Sequence, residues 1–157
     1  MADRSSLRVV VHCDGAARGN PGPAGIGAVV LGPDGEVLAE VAEGIGVATN
    51  NVAEYRAAIA GLERARALGA HEVLLRSDSK LLIEQLEGRY RVKNPTLVRL
   101  HGDVRALVKG FRRVRFEHVP RARNAHADRL ANRGVDVWLA GPGAAYERPG
   151  PAHGLFD

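Results

Sequence analysis

Several features common in other classes of protein are scarce or missing in this sequence. It contains a single cysteine, Cys13, so no disulfide can form within the chain and no cluster of cysteines can hold a metal ion. The first residues carry charges and lack the apolar core of a signal peptide. No apolar run approaches the roughly 18–20 residues that cross a membrane. We therefore expect a cytoplasmic protein that does not use a membrane.

Internal repeats are absent too, and the composition is that of an ordinary globular protein. The chain has 157 residues, of which 45% are hydrophobic and 25% charged. A domain of this size buries roughly 70% of its unfolded surface, so its core can be stable without disulfides or a structural metal ion. The sequence predicts one domain over residues 1–140, followed by a flexible Pro- and Gly-rich tail or linker over residues 141–157.

The net charge of +4 is unevenly distributed along the chain. Residues 1–88 have a net charge of −4, whereas residues 89–133 contain 13 basic and 3 acidic residues. Since 19 of the 22 basic residues are arginine, the bias could reflect a GC-rich genome and a solvated basic face. The alternative is a surface that binds a polyanion, because clustered positive charge attracts phosphate backbones. Both interpretations stay open at this point.

The first third of the chain has the pattern of an antiparallel meander. A strand rich in β-branched residues is predicted over 7–13, followed by a Gly/Pro loop over 15–25. A second strand over 26–32 leads into a Pro-Asp-Gly turn at 33–35, and a third strand lies within 36–47. Short turns between successive strands indicate antiparallel pairing.

Helical spacing appears after residue 48 and then alternates with strands. The predicted elements are a helix that begins at the capping residues 49–51 and ends at 68, a strand over 72–77, a short helix over 79–88, a basic link over 89–95, a helix over 96–109, a strand over 111–119 and a last helix over 127–140. The order βββαβααβα predicts an α/β fold, in which helices pack on a mixed sheet.

Four acidic residues occupy unusual places in this pattern. Asp14 and Asp78 each end a predicted strand, Glu54 lies in the first turns of a helix, and Asp128 begins the last helix. Singly, each could be a turn cap or a favourable first-turn acid. If the strands are adjacent and parallel, however, their carboxylates meet at one edge of the sheet. Converging carboxylates would repel one another unless a hard cation such as Mg²⁺ or Mn²⁺ lay between them.

The chain resembles a type 1 ribonuclease H in four blocks that keep their order and spacing over residues 7–140. The matching blocks are Asp14-Gly15 with Gly19-Asn20-Pro21-Gly22-Pro23 and Gly25, Thr49-Asn50-Asn51 with Glu54, Ser77-Asp78-Ser79, and Asn124 with Ala127-Asp128. The resemblance implies the ribonuclease H fold, a five-stranded mixed sheet of three antiparallel and then parallel strands flanked by helices. It also implies hydrolysis of the RNA strand of RNA–DNA hybrids, leaving 5′-phosphate and 3′-hydroxyl ends.

The resemblance also implies roles for individual residues. Asp14, Glu54, Asp78 and Asp128 would be the catalytic ligands of two Mg²⁺ or Mn²⁺ ions. The residues that would bind substrate around them are Gly15, Ala16, Arg18, Asn20, Thr49, Asn50, Asn51 and Ser79. The long basic protrusion of well-known bacterial members is missing, and Arg89, Arg91 and Lys93 of a short link would replace part of it. The mobile histidine of those members is also missing, so Arg121, Arg123 and His126 are candidates for an auxiliary role in product release.

These departures make the chain similar to a compact subgroup found in some bacteria and archaea. Some of its members also cut double-stranded RNA, and relatives are fused to a C-terminal phosphatase-like domain, which would explain the predicted tail. We expect a monomer. Three alternatives remain: a nucleic-acid-binding module with a vestigial site, an actin-like ATPase and a resolvase or integrase core. The short chain disfavours the ATPase, and the Thr49-Asn50-Asn51 block disfavours the resolvase.

Overall fold

The computed structural model describes residues 7–141, so the predicted tail lies outside the described residues apart from Gly141. The elements in this range are β1 (Arg8–Ala17), β2 (Gly22–Leu31), β3 (Val37–Ala48), α1 (Asn50–Ala67), β4 (Glu72–Ser77), α2 (Lys80–Leu86), α3 (Pro95–Val108), β5 (Arg113–His118), a 3-10 helix (Arg121–Asn124) and α4 (Ala125–Leu139). No helix within the described range is long and apolar enough to cross a membrane.

The five strands form one mixed sheet in the order β3-β2-β1-β4-β5. β1, β2 and β3 pair antiparallel, while β4 lies parallel to both β1 and β5. The predicted α/β fold and the predicted change from antiparallel to parallel pairing are therefore confirmed. The parallel pairs place the carboxyl ends of β1 and β4 at the same edge of the sheet.

Helices cover the sheet on both faces. α1 packs on β1 and β2 and buries a core that includes Val11, Leu62 and Leu75. α4 crosses β2 and β3 on the other face, where Gly25 and Gly27 allow its backbone to come very close. A Cβ atom on either glycine would overlap the α4 backbone, so no larger residue fits between strand and helix.

The predicted loop over 15–25 is wrong, because β1 and β2 extend into it. Asp14 pairs with Gly27 and Ala17 pairs with Ala24, which leaves only residues 18–21 as the connection. Gly25, which resembles a loop residue in sequence, is a strand residue that makes room for α4. Its close neighbours, Ala131 and Val135, lie more than 100 positions away, so local pattern does not reveal its role.

Side-chain caps define where two of the helices begin. The Thr49 hydroxyl accepts a hydrogen bond of 3.2 Å from the backbone N–H of Val52, as the sequence predicts for α1. The Ser79 hydroxyl does the same for α2 through the N–H of Leu82. The last helix begins at Ala125, two residues earlier than predicted, because the 3-10 helix runs directly into it. Asp128 lies in the first turn of α4, as predicted.

Candidate active site

Asp14 and Asp78 are brought together where two parallel strands separate. The pairing of β1 with β4 ends at His12 and Arg76. Beyond that point β1 continues along β2 and carries Asp14, while Asp78 follows directly after the last residue of β4. This position, at the carboxyl ends of parallel strands, is where α/β sheets usually bind ligands.

Glu54 reaches the same place from α1 and is held there by the backbone of β1. The N–H of Gly15 donates a hydrogen bond of 2.6 Å to Glu54 Oε1, and the Ser77 hydroxyl lies 3.5 Å from Oε2. A Cβ atom on Gly15 would overlap the backbone of Ala53 and Glu54. Gly15 therefore lets α1 approach closely enough for the Glu54 carboxylate to reach the strand end.

Three of the four predicted carboxylates form a compact cluster. Oxygen atoms of Asp14, Glu54 and Asp78 all lie within 4.8 Å of one another. Asp128 lies outside this triad but lines the same cavity, which has a volume of about 370 Å³, and it interacts with the Asp14 carboxyl. Asp14 and Glu54 are buried, while Asp78 and Asp128 are half-buried.

Ionisation of the clustered carboxylates is unfavourable without a cation, as the raised pKa values of two of them show. Burial, followed by Glu54 and Asp78, raises the pKa of Asp14 to about 10. Burial also raises the pKa of Glu54 to about 7, against hydrogen bonds from Asp14 and Gly15 that lower it. Buried carboxylates that offer only oxygen atoms are the ligands that hard divalent cations prefer. The donor set therefore fits Mg²⁺ or Mn²⁺, with Asp14, Glu54 and Asp78 as the central ligands.

Two asparagines complete the surroundings of the carboxylates, and neither has a role predicted from the sequence. The Asn124 amide donates to Asp78 Oδ1 at 3.0 Å. The Asn132 amide donates to the Asp128 carbonyl at 3.0 Å, and its side chain lines the cavity. Asn132 could have been found from sequence, because residues four apart share one side of a helix. Asn124 stands in a block of the resemblance, but its contact with Asp78 spans 46 positions.

About half of the predicted substrate-binding residues surround the carboxylate cavity. Those that line it are Gly15, Ala16, Arg18, Asn50 and Ser79. The guanidinium of Arg18 contacts α4, where it lies 2.8 Å from Asp136 Oδ1 and within hydrogen-bond distance of Asn132. These contacts fix a positive charge at the rim of an acidic cavity.

The other predicted residues of the first two blocks lie beside the cavity rather than in it. Asn20 Oδ1 accepts a hydrogen bond of 3.0 Å from the N–H of Asn50 and so joins the β1–β2 connection to the start of α1. Thr49 caps α1. Asn51 is exposed on the first turn of that helix. Together with Asn50, these residues form a polar surface at the N-terminus of α1, which we call the polar ledge.

The basic link between α2 and α3, residues 89–95, is held to α2 by hydrogen bonds, while several of its charged side chains are exposed. Arg89 is exposed but engaged in a two-pronged contact with Glu84, at 2.7 and 3.1 Å. The Gln85 amide donates to the carbonyl of Arg91. The side chains of Arg91 and Lys93 are exposed. Anchoring the backbone of the link presents these two charges to solvent.

The three auxiliary candidates fall in different places. Arg121 lines the carboxylate cavity. Arg123 lines a separate cavity, together with His12 and other residues at the ends of β4 and β5. His126 lies on α4 against β3, where its Nε2 is 2.7 Å from Glu40 Oε2. Of the three, the structure brings only Arg121 to the carboxylates.

Comparison with known proteins places this geometry in a family. A family profile described as reverse transcriptase-like matches residues 12–134. The bifunctional protein Rv2228c of Mycobacterium tuberculosis is 56% identical over 132 residues, which are 83% of this chain and 36% of that protein. The chain thus spans about a third of the length of the first curated relatives it matches.

Solved structures agree in fold. The structure titled as the N-terminal RNase H domain of Rv2228c superposes with a TM-score of 0.80 over 82% of this chain and 99% of that one. RNase H1 from Halobacterium salinarum, 47% identical, also has a TM-score of 0.80, over 82% of this chain and 98% of that one. LC11-RNase H1, solved in complex with an RNA/DNA hybrid, is 41% identical with a TM-score of 0.80, over 83% and 99%.

Proposed function

The chain belongs to the reverse transcriptase-like family and, within it, to the type 1 ribonucleases H, and from this membership we propose that it hydrolyses the RNA strand of RNA–DNA hybrids. The products would carry 5′-phosphate and 3′-hydroxyl ends. The observation that carries the proposal is the cluster of Asp14, Glu54 and Asp78, with Asp128 on the same cavity. A vestigial binding module would have no need of clustered, buried carboxylates whose pKa values are raised.

The carboxylates would hold two Mg²⁺ or Mn²⁺ ions. Such ions stabilise the charge that grows on the attacking and leaving oxygens of a phosphodiester and lower the pKa of the attacking water. Asp14 and Glu54 would be the buried ligands, and Asp78 and Asp128, which are half-buried, would face the substrate side. The raised pKa values of Asp14 and Glu54 support this assignment, because a bound cation would offset the cost of ionising these buried, clustered carboxylates.

The polar ledge of Asn20, Thr49, Asn50 and Asn51 would position the nucleic acid beside the carboxylates. Asn50 already lines the cavity and is bonded to Asn20. Contacts to the ribose 2′-hydroxyl are what allow a protein to distinguish RNA from DNA. The exposed charges of Arg91 and Lys93 would contact phosphates further along the duplex.

Cleavage of a labelled hybrid tests the proposal directly. The full chain is incubated with an end-labelled RNA–DNA hybrid in Mg²⁺ or Mn²⁺, beside double-stranded RNA and double-stranded DNA. We expect internal cuts in the RNA strand of the hybrid and none in DNA. Asp14→Asn should abolish cleavage and retain hybrid binding. Intact RNA under both metals would overturn the proposal and favour the binding module.

Double-stranded RNA is a second candidate substrate. The link at residues 89–95 is short, so fewer contacts are available to tell the DNA strand of a hybrid from a second RNA strand. Cutting of both substrates at similar rates would assign the broader activity. Since the first curated relatives are much longer than this chain, partners outside the described fold, including a fused domain, belong to the whole protein and need the full-length sequence for their test.

A further inference from the structure

Asn124 connects the segments that carry three of the four carboxylates. Its side chain is 1% exposed, and its amide nitrogen makes two hydrogen bonds. One, of 2.9 Å, goes to the carbonyl of Cys13, the residue before Asp14. The other, of 3.0 Å, goes to Asp78 Oδ1. Asn124 itself directly precedes α4, whose first turn carries Asp128.

The two acceptors set the orientation of the amide. Both partners of the amide nitrogen are oxygen atoms that accept its hydrogen bonds, the carbonyl of Cys13 and Oδ1 of Asp78. If the amide of Asn124 were turned over, its own oxygen would face them and both hydrogen bonds would be lost. The side chain is therefore locked in one direction by β1 on one side and by Asp78 on the other.

An amide suits this position better than a charged donor would. Asn124 contacts one oxygen of Asp78 and adds no positive charge to the cavity. A lysine or arginine there would also align the carboxylate, but its charge would oppose a cation among Asp14, Glu54 and Asp78. A neutral donor aligns the ligand and leaves the negative potential of the cluster intact.

We propose that Asn124 is a positioning residue, which holds Asp78 at the spacing from Asp14 that divalent-cation binding requires. This inference rests on the proposed function, since it concerns the same cluster. Groups that hydrogen-bond to metal ligands typically change metal affinity by about 10–100-fold when removed. Asn124 does not itself line the cavity, so its effect should appear in metal binding and turnover and not in hybrid affinity.

Mn²⁺ binding to the full chain without nucleic acid tests the inference independently of cleavage. Electron paramagnetic resonance reports the unbound Mn²⁺ during a titration. Asn124→Ala should weaken Mn²⁺ binding by about 10–100-fold, with a comparable fall in kcat and little change in KM for the hybrid. Asn124→Ser, whose hydroxyl can donate to only one acceptor at a time, should lie between wild type and Asn124→Ala.

Gln85→Ala is the matched control. Gln85 is also a buried amide that joins two segments, through Tyr55 and the carbonyl of Arg91, but it contacts none of the four carboxylates. The Gln85→Ala substitution should lower the Tm of the protein without changing its Mn²⁺ affinity.

Asn124→Asp keeps the size of the side chain and removes the donor. This variant should also bind Mn²⁺ more weakly, even though it adds a carboxylate.

The outcomes separate the two proposals. Unchanged Mn²⁺ affinity in Asn124→Ala and Asn124→Asp, with wild-type protein that does bind Mn²⁺, would overturn the positioning role and leave the nuclease proposal standing. Tighter binding by Asn124→Asp would overturn it too, because an added ligand would then matter more than the donor. Wild-type protein that binds no Mn²⁺ and cuts no hybrid would overturn both.

Discussion

The backbone N–H of Gly15 donates a 2.6 Å hydrogen bond to Oε1 of Glu54, which ties the first strand to the first helix at the centre of the carboxylate cluster. The bond exists because Gly15 has no side chain to keep the helix away. A small residue beside Asp14 thus determines where a carboxylate 39 positions later comes to lie.

Gly15→Ala should be strongly destabilising and inactive. Its new Cβ would overlap the backbone of Ala53 and Glu54, which cannot move without displacing α1. Overpacking of this kind costs about 1–3 kcal/mol or more, and urea denaturation measures it. Gly102→Ala is the control, since a Cβ on this α3 glycine meets nothing within 4 Å. That variant should gain about 0.5–1 kcal/mol from helix propensity, and equal losses in the two variants would contradict the packing argument.

Asp14→Asn should stabilise the protein when no divalent cation is present, and more so as pH rises. The pKa of Asp14 is raised from 3.8 to about 10 in the fold, chiefly by burial, so the folded state favours the protonated form. Its contribution to stability is therefore complete below about pH 4 and is lost as pH increases towards 10. An amide at this position does not ionise and avoids that loss.

Thermal melts in EDTA at pH 5, 7 and 9 measure the effect as a difference between the two proteins. We expect the Tm of Asp14→Asn to exceed that of wild type by about 3–6 °C at pH 9, and by less at pH 5. Adding Mg²⁺ or Mn²⁺ should raise the Tm of wild type more than that of the variant, because ligands stabilise the state that binds them. A Tm difference that does not vary with pH would show that ionisation of the buried Asp14 is not its cause.

Lys93→Ala should weaken hybrid binding and reduce its dependence on salt. Lys93 is exposed on the anchored link, where each phosphate contact contributes to the slope of log K against log salt. We expect a KM for the hybrid several-fold higher and a slope smaller by about one. Lys109→Ala removes another exposed lysine, from the other end of α3, and should change neither quantity. Equal effects of the two substitutions would assign binding to net charge rather than to the link.

Arg121→Ala and Arg123→Ala should differ, although the two residues are near neighbours in the sequence. Arg121 lines the carboxylate cavity, whereas Arg123 lines the separate cavity beside His12. We expect kcat to fall by about 10-fold for Arg121→Ala, as for the loss of one charged group near a reacting phosphate, and to change little for Arg123→Ala. Single-turnover kinetics would show whether Arg121 acts on cleavage or on product release. A larger fall for Arg123→Ala would exclude the cavity lining as the basis of the difference.

Much of the local structure follows from short-range pattern. The cap at Thr49 and the strand that ends before Asp78 were both predicted, because each depends on residues within a few positions. The order of strands and helices and the mixed sheet were predicted as well, since hydrophobic periodicity and turn residues are local signals. The assignment of the four carboxylates as metal ligands is a prediction that comes from the resemblance.

The distribution of the basic residues is one feature that only the fold decides. In sequence, residues 89–133 form one basic segment. In the structure, Arg91 and Lys93 lie on the α2–α3 link, Arg121 lies at the carboxylates, and Arg113 lies near the opposite end of β5. Charge counted along a chain cannot tell these surfaces apart, because strand pairing and helix packing set the distances between them.

What the sequence by itself determined is the set of elements and the residue types available for chemistry. Tertiary structure decided how those residues meet: β1 continues past Asp14 because β2 pairs with it, and Asn124 reaches Asp78 across 46 positions. The physical reason is the distance along the chain over which each kind of interaction acts. Caps and periodicity act within a few residues, whereas the hydrogen bonds and close backbone contacts that converge the carboxylates join segments that only the packed sheet and helices bring together.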